Sequence, residues 1–213
     1  MAEKGPGKPL RIVFKEFKPG DVRKRQAKSN NTKSGGGARD LRLNHRGIGP
    51  IIAEMFPDRE VVTRKRKKEV VKIEAYAGTL VYPVDPDQPS GELAKMSVLY
   101  ELPTTARGFE GRIARINRIP SLARSPQSPD DRVFLLLVQS EGGEVRAHYV
   151  TETSLRSGRW HHLVSNTILG CIPVTQRRHA VQGFIDFTTD TTYCHARDKV
   201  TVRTRRKRTP PAP

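Results

Sequence analysis

The chain has 213 residues, with 39 Lys+Arg against 22 Asp+Glu, a formal net charge of +17 at pH 7, and only 35% hydrophobic residues. Such a charge favours an acidic partner: nucleic acid first, an anionic membrane surface or an acidic protein second. It excludes little by itself, but no apolar run approaches the ~20 residues that a spanning helix needs, so no membrane partner is expected.

The charge is unevenly placed. Residues 1–68 hold 19 Lys+Arg against 7 Asp+Glu, residues 197–208 hold 7 against 1, and the 128 residues between hold 13 against 14. Cations clustered beside a nearly neutral, foldable centre match a module that binds a polyanion, because neutralising phosphates releases condensed counterions. The expected organisation is a basic flexible N-terminal arm with a Gly-rich loop over 1–47, a β-rich domain over 48–202, and a basic tail over 203–213. The opening residues mix charges without an apolar stretch, so no secretory signal is read. The expected location is intracellular, cytoplasmic or nuclear, and not secreted. Cys171 and Cys194 lie far apart with no CxxC. This spacing fits neither a disulfide framework nor a zinc site, and reads as two small buried residues in a reducing compartment.

In chain order, residues 10–14 (LRIVF) have the content of a short strand, and Pro19 and Gly20 mark a turn. Residues 21–38 show no apolar periodicity and bury too little to offset their ordering entropy. Within them begins the string SGGGARDLR at 34–42. Its glycines let backbone N–H groups approach an anion, and Lys33, Arg39 and Arg42 can meet phosphate oxygens. It lacks the Gly-Lys-Ser/Thr of a nucleotide-binding P-loop, so contact with a nucleic-acid backbone is the better reading. Residues 48–56 predict one short helix, with Pro50 in its first turn, Pro57 at its end, and Ile51, Ile52, Met55 and Phe56 on one face.

Arg64, Lys65, Arg66, Lys67 and Lys68 are five consecutive cations directly before an expected strand at 69–76. Nothing in folding favours so dense a run unless an anion relieves it. Further strands are expected at 79–82, 96–102, 109–116, 132–139, 144–150, 163–172, 182–187 and 200–203. The loop EGGE at 141–144 makes a hairpin of 132–139 with 144–150. Many short strands separated by Gly/Pro turns argue for a small barrel or sandwich: mainly β, one short helix, basic flexible arms at both ends. Residues 112–119 place Arg at 112, 115 and 118 and Ile at 113, 116 and 119, a period of three that fits neither a flat strand nor an α-helix.

These features point to a phosphate-backbone nucleic-acid-binding protein, DNA or RNA, acting as an accessory module or subunit beside other protein subunits, with no cofactor and no metal. The expected contacts are Lys24, Arg25, Lys28, Lys33, Arg39, Arg42, Arg64, Lys65, Arg66, Lys67 and Lys68, then Arg177 and Arg178 in the neutral domain, then Arg205, Arg206, Lys207 and Arg208 in the tail. Aromatic residues make up only 6% of the chain, which disfavours a single-strand binder built on stacking. Two alternatives stand. A metal-dependent nuclease would gather Asp130, Asp131, Glu141 and Glu144 around the 132–150 hairpin. An assembly protein would wrap acidic neighbours with its arms. His161 and His162 on one strand would point to opposite faces, which weakens a paired-ligand reading.

Overall fold

The computed structural model describes residues 7–17, 40–66, 69–85, 91–105, 108–114, 116, 131–172, 180–196 and 199–204. Its strands are β1 (Pro9–Phe17), β2 (Leu41–Asn44), β3 (Asp58–Arg66), β4 (Glu69–Pro83), β5 (Leu93–Glu101), β6 (Glu110–Ile113), β7 (Val133–Ser140), β8 (Val145–Thr151), β9 (Gln182–Asp186), β10 (Thr191–Ala196) and β11 (Lys199–Thr204). They form one sheet in the order β11-β10-β9-β1-β7-β8-β4-β5-β6-β2, with β3 added to β4. The sheet is mainly antiparallel, β4 and β8 being a parallel pair. It curls into a nearly closed barrel, because the free edge of β2 returns to β1 and β9. There Asn44 N–H donates to Gln182 Oε1 at 3.0 Å, and Lys15 Nζ donates to the Arg42 carbonyl. Side chains rather than a strand ladder close this seam.

The inside of the barrel is filled by α1 (His45–Met55). Its Ile48, Ile51, Ile52 and Met55 join Val13, Leu43, Leu80, Tyr100, Leu135 and Phe184 in one buried cluster. Asn44 caps α1 by accepting from Gly47 N–H. The helix therefore starts three residues earlier than the sequence suggests. Pro50 lies in its interior on the exposed side, where its missing N–H leaves the Arg46 carbonyl without the usual partner. At Gly78 a Cβ would overlap the Phe56 ring, so the end of α1 packs directly on the β4 backbone.

A second apolar layer covers the outside of β1, β7 and β9. Strand side chains alternate, so Val13 and Phe17 face the interior while Ile12 and Phe14 face out. On β7, Val133, Leu135 and Leu137 point in, and Phe134 and Leu136 point out. Burial on both faces explains the unbroken run VFLLLV. The outer residues are covered by α2 (Glu152–Arg156) and α3 (His162–Gly170) through Leu155, Val164 and Ile168.

Several expectations are corrected. Residues 163–172 form most of α3 and its C-terminal end rather than a strand, since Val164 and Ile168 repeat at i, i+4 over the sheet. Three helices, not one, are present among the described residues. Residues 9–17 are no part of an arm: β1 lies inside the sheet, paired with β7 on one side and β9 on the other. Residues 41–47 likewise supply β2 and the start of α1. His161 and His162 sit at the N-terminus of α3, their ring centroids 4.4 Å apart, not on opposite faces of a strand. Cys171, at the end of α3, and Cys194, on β10, are joined as a disulfide. The 7–8 hairpin falls at 133–140 and 145–151, within a residue of its expected position, with Gly143 in the left-handed region at φ 77° in its turn.

Candidate nucleic-acid interface

Phosphate recognition needs cations that the fold leaves available, so each cation's partners in the chain matter first. Much of the barrel's arginine is neutralised internally. Arg11 lies 3.6 Å from Glu54 and 3.9 Å from Asp186, Arg132 is 3.3 Å from Glu16 and 3.5 Å from Glu152, and Arg146 is 2.5 Å from Glu144. Asp186 also accepts from Thr188. Burial alone would raise its carboxyl, but these hydrogen bonds and the Arg11 charge hold it below the usual range.

Arg64, chosen in the sequence as a phosphate contact, belongs to the densest of these networks. Its Nη2 and Nε donate to Glu101 Oε1 at 2.6 and 3.1 Å. The other Glu101 oxygen accepts from Arg112 Nε at 2.8 Å, and Arg112 Nη1 reaches Asp40 Oδ2 at 2.6 Å. Glu101 is 0% exposed. Burial pushes its carboxyl up, and the hydrogen bonds from Arg64 and Arg112, helped by their charges, outweigh that and leave it lowered. The anion that relieves Arg64 is thus a buried carboxylate of the same chain.

Arg42 is on β2 and half-exposed, 3.4 Å from Glu110. It lines a seam concavity of about 300 Å³ together with Lys15, Asn44, Phe109, Glu110 and Gln182. Arg46 stacks over the Phe109 ring at 3.3 Å beside it. Neither Lys15, Asn44, Gln182 nor Phe109 was singled out for binding in the sequence. Only the return of β2 to β9, which no sequence spacing announces, brings them together. Asn44 Nδ2 also lies 3.4 Å from His195 Nε2. His45 stacks on Tyr100, its Nδ1 lying 3.2 Å from the Tyr100 hydroxyl; burial lowers this histidine and raises the tyrosine.

Lys24, Arg25, Lys28, Lys33, Arg39, Lys67, Lys68, Arg177, Arg178, Arg205, Arg206, Lys207 and Arg208 lie outside the described residues, and Lys65 and Arg66 are placed only as backbone of β3. The points at which the chain enters and leaves these stretches are described, and they converge. Segment 18–39 leaves after Phe17 and returns at Asp40, and the Lys15 bond to the Arg42 carbonyl ties the two strands two residues from each anchor. Segment 173–179 returns beside the same place. Glu16 N–H donates to the Val181 carbonyl at 2.7 Å, and Val181 N–H donates to Glu16 Oε2 at 2.9 Å. Asp40 is joined to Arg64 through Arg112 and Glu101. The tail after Thr204 departs elsewhere: Thr204 pairs with Thr191 and so with Asp186, at the opposite end of β9 from Gln182.

The alternative carboxylate site is not assembled. Asp131 accepts from Thr153 N–H at one end of β7, and Glu141 and Glu144 flank the turn at the other. The eight residues of β7 separate them, about 25 Å at ~3.3 Å per residue. Asp130 lies outside the described residues, among which no group of three or more His, Cys, Asp or Glu is placed to hold a metal ion. His148, packed edge-on to Trp160, is lowered by burial and by the Arg146 charge. Among the described residues no helix is long and apolar enough to cross a membrane. Comparison with protein-family models, curated proteins and solved structures gives no match to this chain.

Proposed function

We propose that this protein is a non-catalytic nucleic-acid-binding module, an accessory module or subunit of a larger nucleic-acid-processing complex, that engages the phosphate backbone. One observation carries the reading. Three stretches rich in cations, 18–39, 64–68 and 173–179, are fastened at the barrel by neighbouring residues: Glu16 with Val181, Lys15 with Arg42, and Asp40 through Arg112 and Glu101 to Arg64. The barrel around these anchors answers its own arginines with carboxylates, so the surplus charge resides on what is attached there. Cationic segments whose described anchors lie together can reach one extended polyanion more readily than arms at opposite ends could. On this reading Lys24, Arg25, Lys28, Lys33, Arg39, Arg42 and Lys65 to Lys68 contact phosphate, with Arg177 and Arg178 beside them. Arg64 serves as a positioning residue on β3, held by Glu101.

The test is the affinity for a mixed-sequence duplex across a salt series. A log–log slope falling by about 0.9 for each phosphate neutralised is expected. Replacing Lys24, Arg25, Lys28, Lys33 and Arg39 together by Gln should flatten that slope by several units. A protein that ignores both DNA and RNA at low ionic strength ends the proposal.

A further inference from the structure

The β3–β4 hairpin is longer than the barrel uses. β4 pairs with β3 over 69–77 but with β5 only from Ala75 onward. The Glu74 carbonyl still accepts from Leu102 N–H, so the part from the Val62–Ile73 pair to the Arg66–Glu69 pair is a two-stranded ribbon, roughly 14 Å long at ~3.4 Å per residue. Its two faces differ. On one, Ile73 is buried, Val62 and Val71 are half-buried, and Arg64 is held by Glu101. On the other, Val61 is 63% and Val70 66% exposed, and Thr63 and Lys72 are exposed between them. Among the described residues the ribbon is thus packed on one face and exposed on the other.

Charge grades along it. Asp58, Glu60 and Glu74 lie toward its base, whereas residues 63–72 carry six cations and one carboxylate. Strand backbone suits valine, but among the described residues these two have little apolar surface packed against them beside that charge. A duplex groove supplies both partners they lack: phosphates on its walls, and base edges with thymine methyl groups on its floor.

We propose that the β3–β4 ribbon is a duplex-DNA-reading element that enters the major groove, with Val61, Thr63, Val70 and Lys72 facing the bases. The inference rests on the nucleic-acid reading above and narrows it to B-form DNA. A B-DNA major groove is about 12 Å wide and admits a two-stranded ribbon, whereas the major groove of an RNA duplex is too deep and narrow for side chains to read. Val61 and Val70 contact thymine methyls, and Lys72 reaches guanine O6 and N7 or the flanking phosphate.

The experiment compares the full chain with the variants Val61→Ser/Val70→Ser and Lys72→Glu on a mixed-sequence 20-base-pair DNA duplex, the same sequence as an RNA duplex, and single-stranded DNA. Guanine N7 methylation on the bound DNA reports groove occupancy. The proposal expects at least a tenfold preference for duplex DNA over duplex RNA, protection of guanine N7, and a loss of about tenfold for Lys72→Glu with folding unchanged. Equal affinity for both duplexes, or N7 left reactive, overturns the major-groove assignment. So does a wild-type-like affinity of both variants, which would leave backbone binding standing by itself. A change in self-association of the valine variants without a change in DNA affinity assigns the face to a second copy of the chain instead. Failure of the wild type on every nucleic acid sinks the underlying reading, and that outcome is distinct from the others.

Discussion

The barrel body and the outer face of the β3–β4 ribbon treat charge and apolar surface in opposite ways. In the body, Arg64 and Arg112 share the fully buried Glu101, Arg132 meets Glu16, and Arg11 meets Glu54 and Asp186. The apolar residues Val133 to Leu137 of β7 are sealed between two layers. On the ribbon, Val61 and Val70 stay bare, and Lys72 stands exposed beside a cationic tip. Basic composition alone therefore does not identify a binding surface. The same residue type is a structural strut where a carboxylate is folded against it, and a candidate contact where none is.

The sharpest way to break this contrast is at Glu101. Removing one partner of a buried ion pair leaves the other charge desolvated and uncompensated, which costs about 3–5 kcal/mol. Glu101→Ala removes the carboxylate held by Arg64 and one of the two held by Arg112, which keeps Asp40, so its denaturant midpoint should fall more than that of Glu74→Ala, an exposed carboxylate of the neighbouring strand. Equal losses for the two would show that Arg64 and Arg112 are not held by Glu101. The pairing is also what takes Arg64 away from phosphate, so Arg64→Lys should weaken folding more than it weakens the salt dependence of binding.

Acid tests the same body on a smaller scale. Glu101 and Asp186 are held below their usual values of 4.5 and 3.8 in the folded chain. Their contribution is complete above those values and is lost as pH falls through the lowered ones. His45 and His148 are lowered from 6.5 by burial. Their neutral forms suit the fold, so their contribution too is present above pH 6.5 and lost as pH drops through their folded values. Thermal stability should accordingly decline in two stages on acidification, the first beginning below pH 6.5 and the second below about 4.5. Replacing His45 and His148 by Gln should flatten the first stage and leave the second. A melting temperature that rises between pH 6.5 and 5 contradicts these burials.

The regions differ equally in how far the sequence reveals them. The β7–β8 hairpin was readable because a Gly-bearing loop joins two apolar runs, a signal contained within twenty residues. The helix of α1 was readable from its Ile and Met spacing, although Asn44 as its cap was not. The strand of β1 was readable at 10–14, but its place inside the sheet was hidden by averaging, since Arg11 and Lys15 belong to a basic stretch while Val13, Phe14 and Phe17 are core. α3 was misread because Leu163, Val164, Ile168 and Ile172 have strand-like content, and only contact with the outer face of the sheet selects the helix. The candidate interface was half legible. Cations can be counted, but Arg64 and Glu101 are 37 residues apart, and the Cys171–Cys194 bond spans 23. Such pairings are made by topology, which no local pattern encodes. The nearness of the described residues that flank segments 18–39 and 173–179 depends in the same way on β1 lying beside β9.

The smallest expected effect is the most discriminating between the ribbon's faces. Ile73 is 2% exposed, and its truncation to Ala removes buried methylenes and leaves a cavity, a loss of about 2–5 kcal/mol. Val61 and Val70 lie on the opposite face with most of their surface in water, so Val61→Ser/Val70→Ser should change stability by no more than about 0.5 kcal/mol. Urea unfolding of the two variants measures this directly. A valine double variant as destabilised as Ile73→Ala would mean that part of the chain covers this face in the free protein. The ribbon would then have to be uncovered before any groove could receive it, and DNA affinity would rise rather than fall when the covering contact is cut. Near-neutral stability leaves the valines without a folding role and makes any loss of DNA affinity in the same variant attributable to the contact itself.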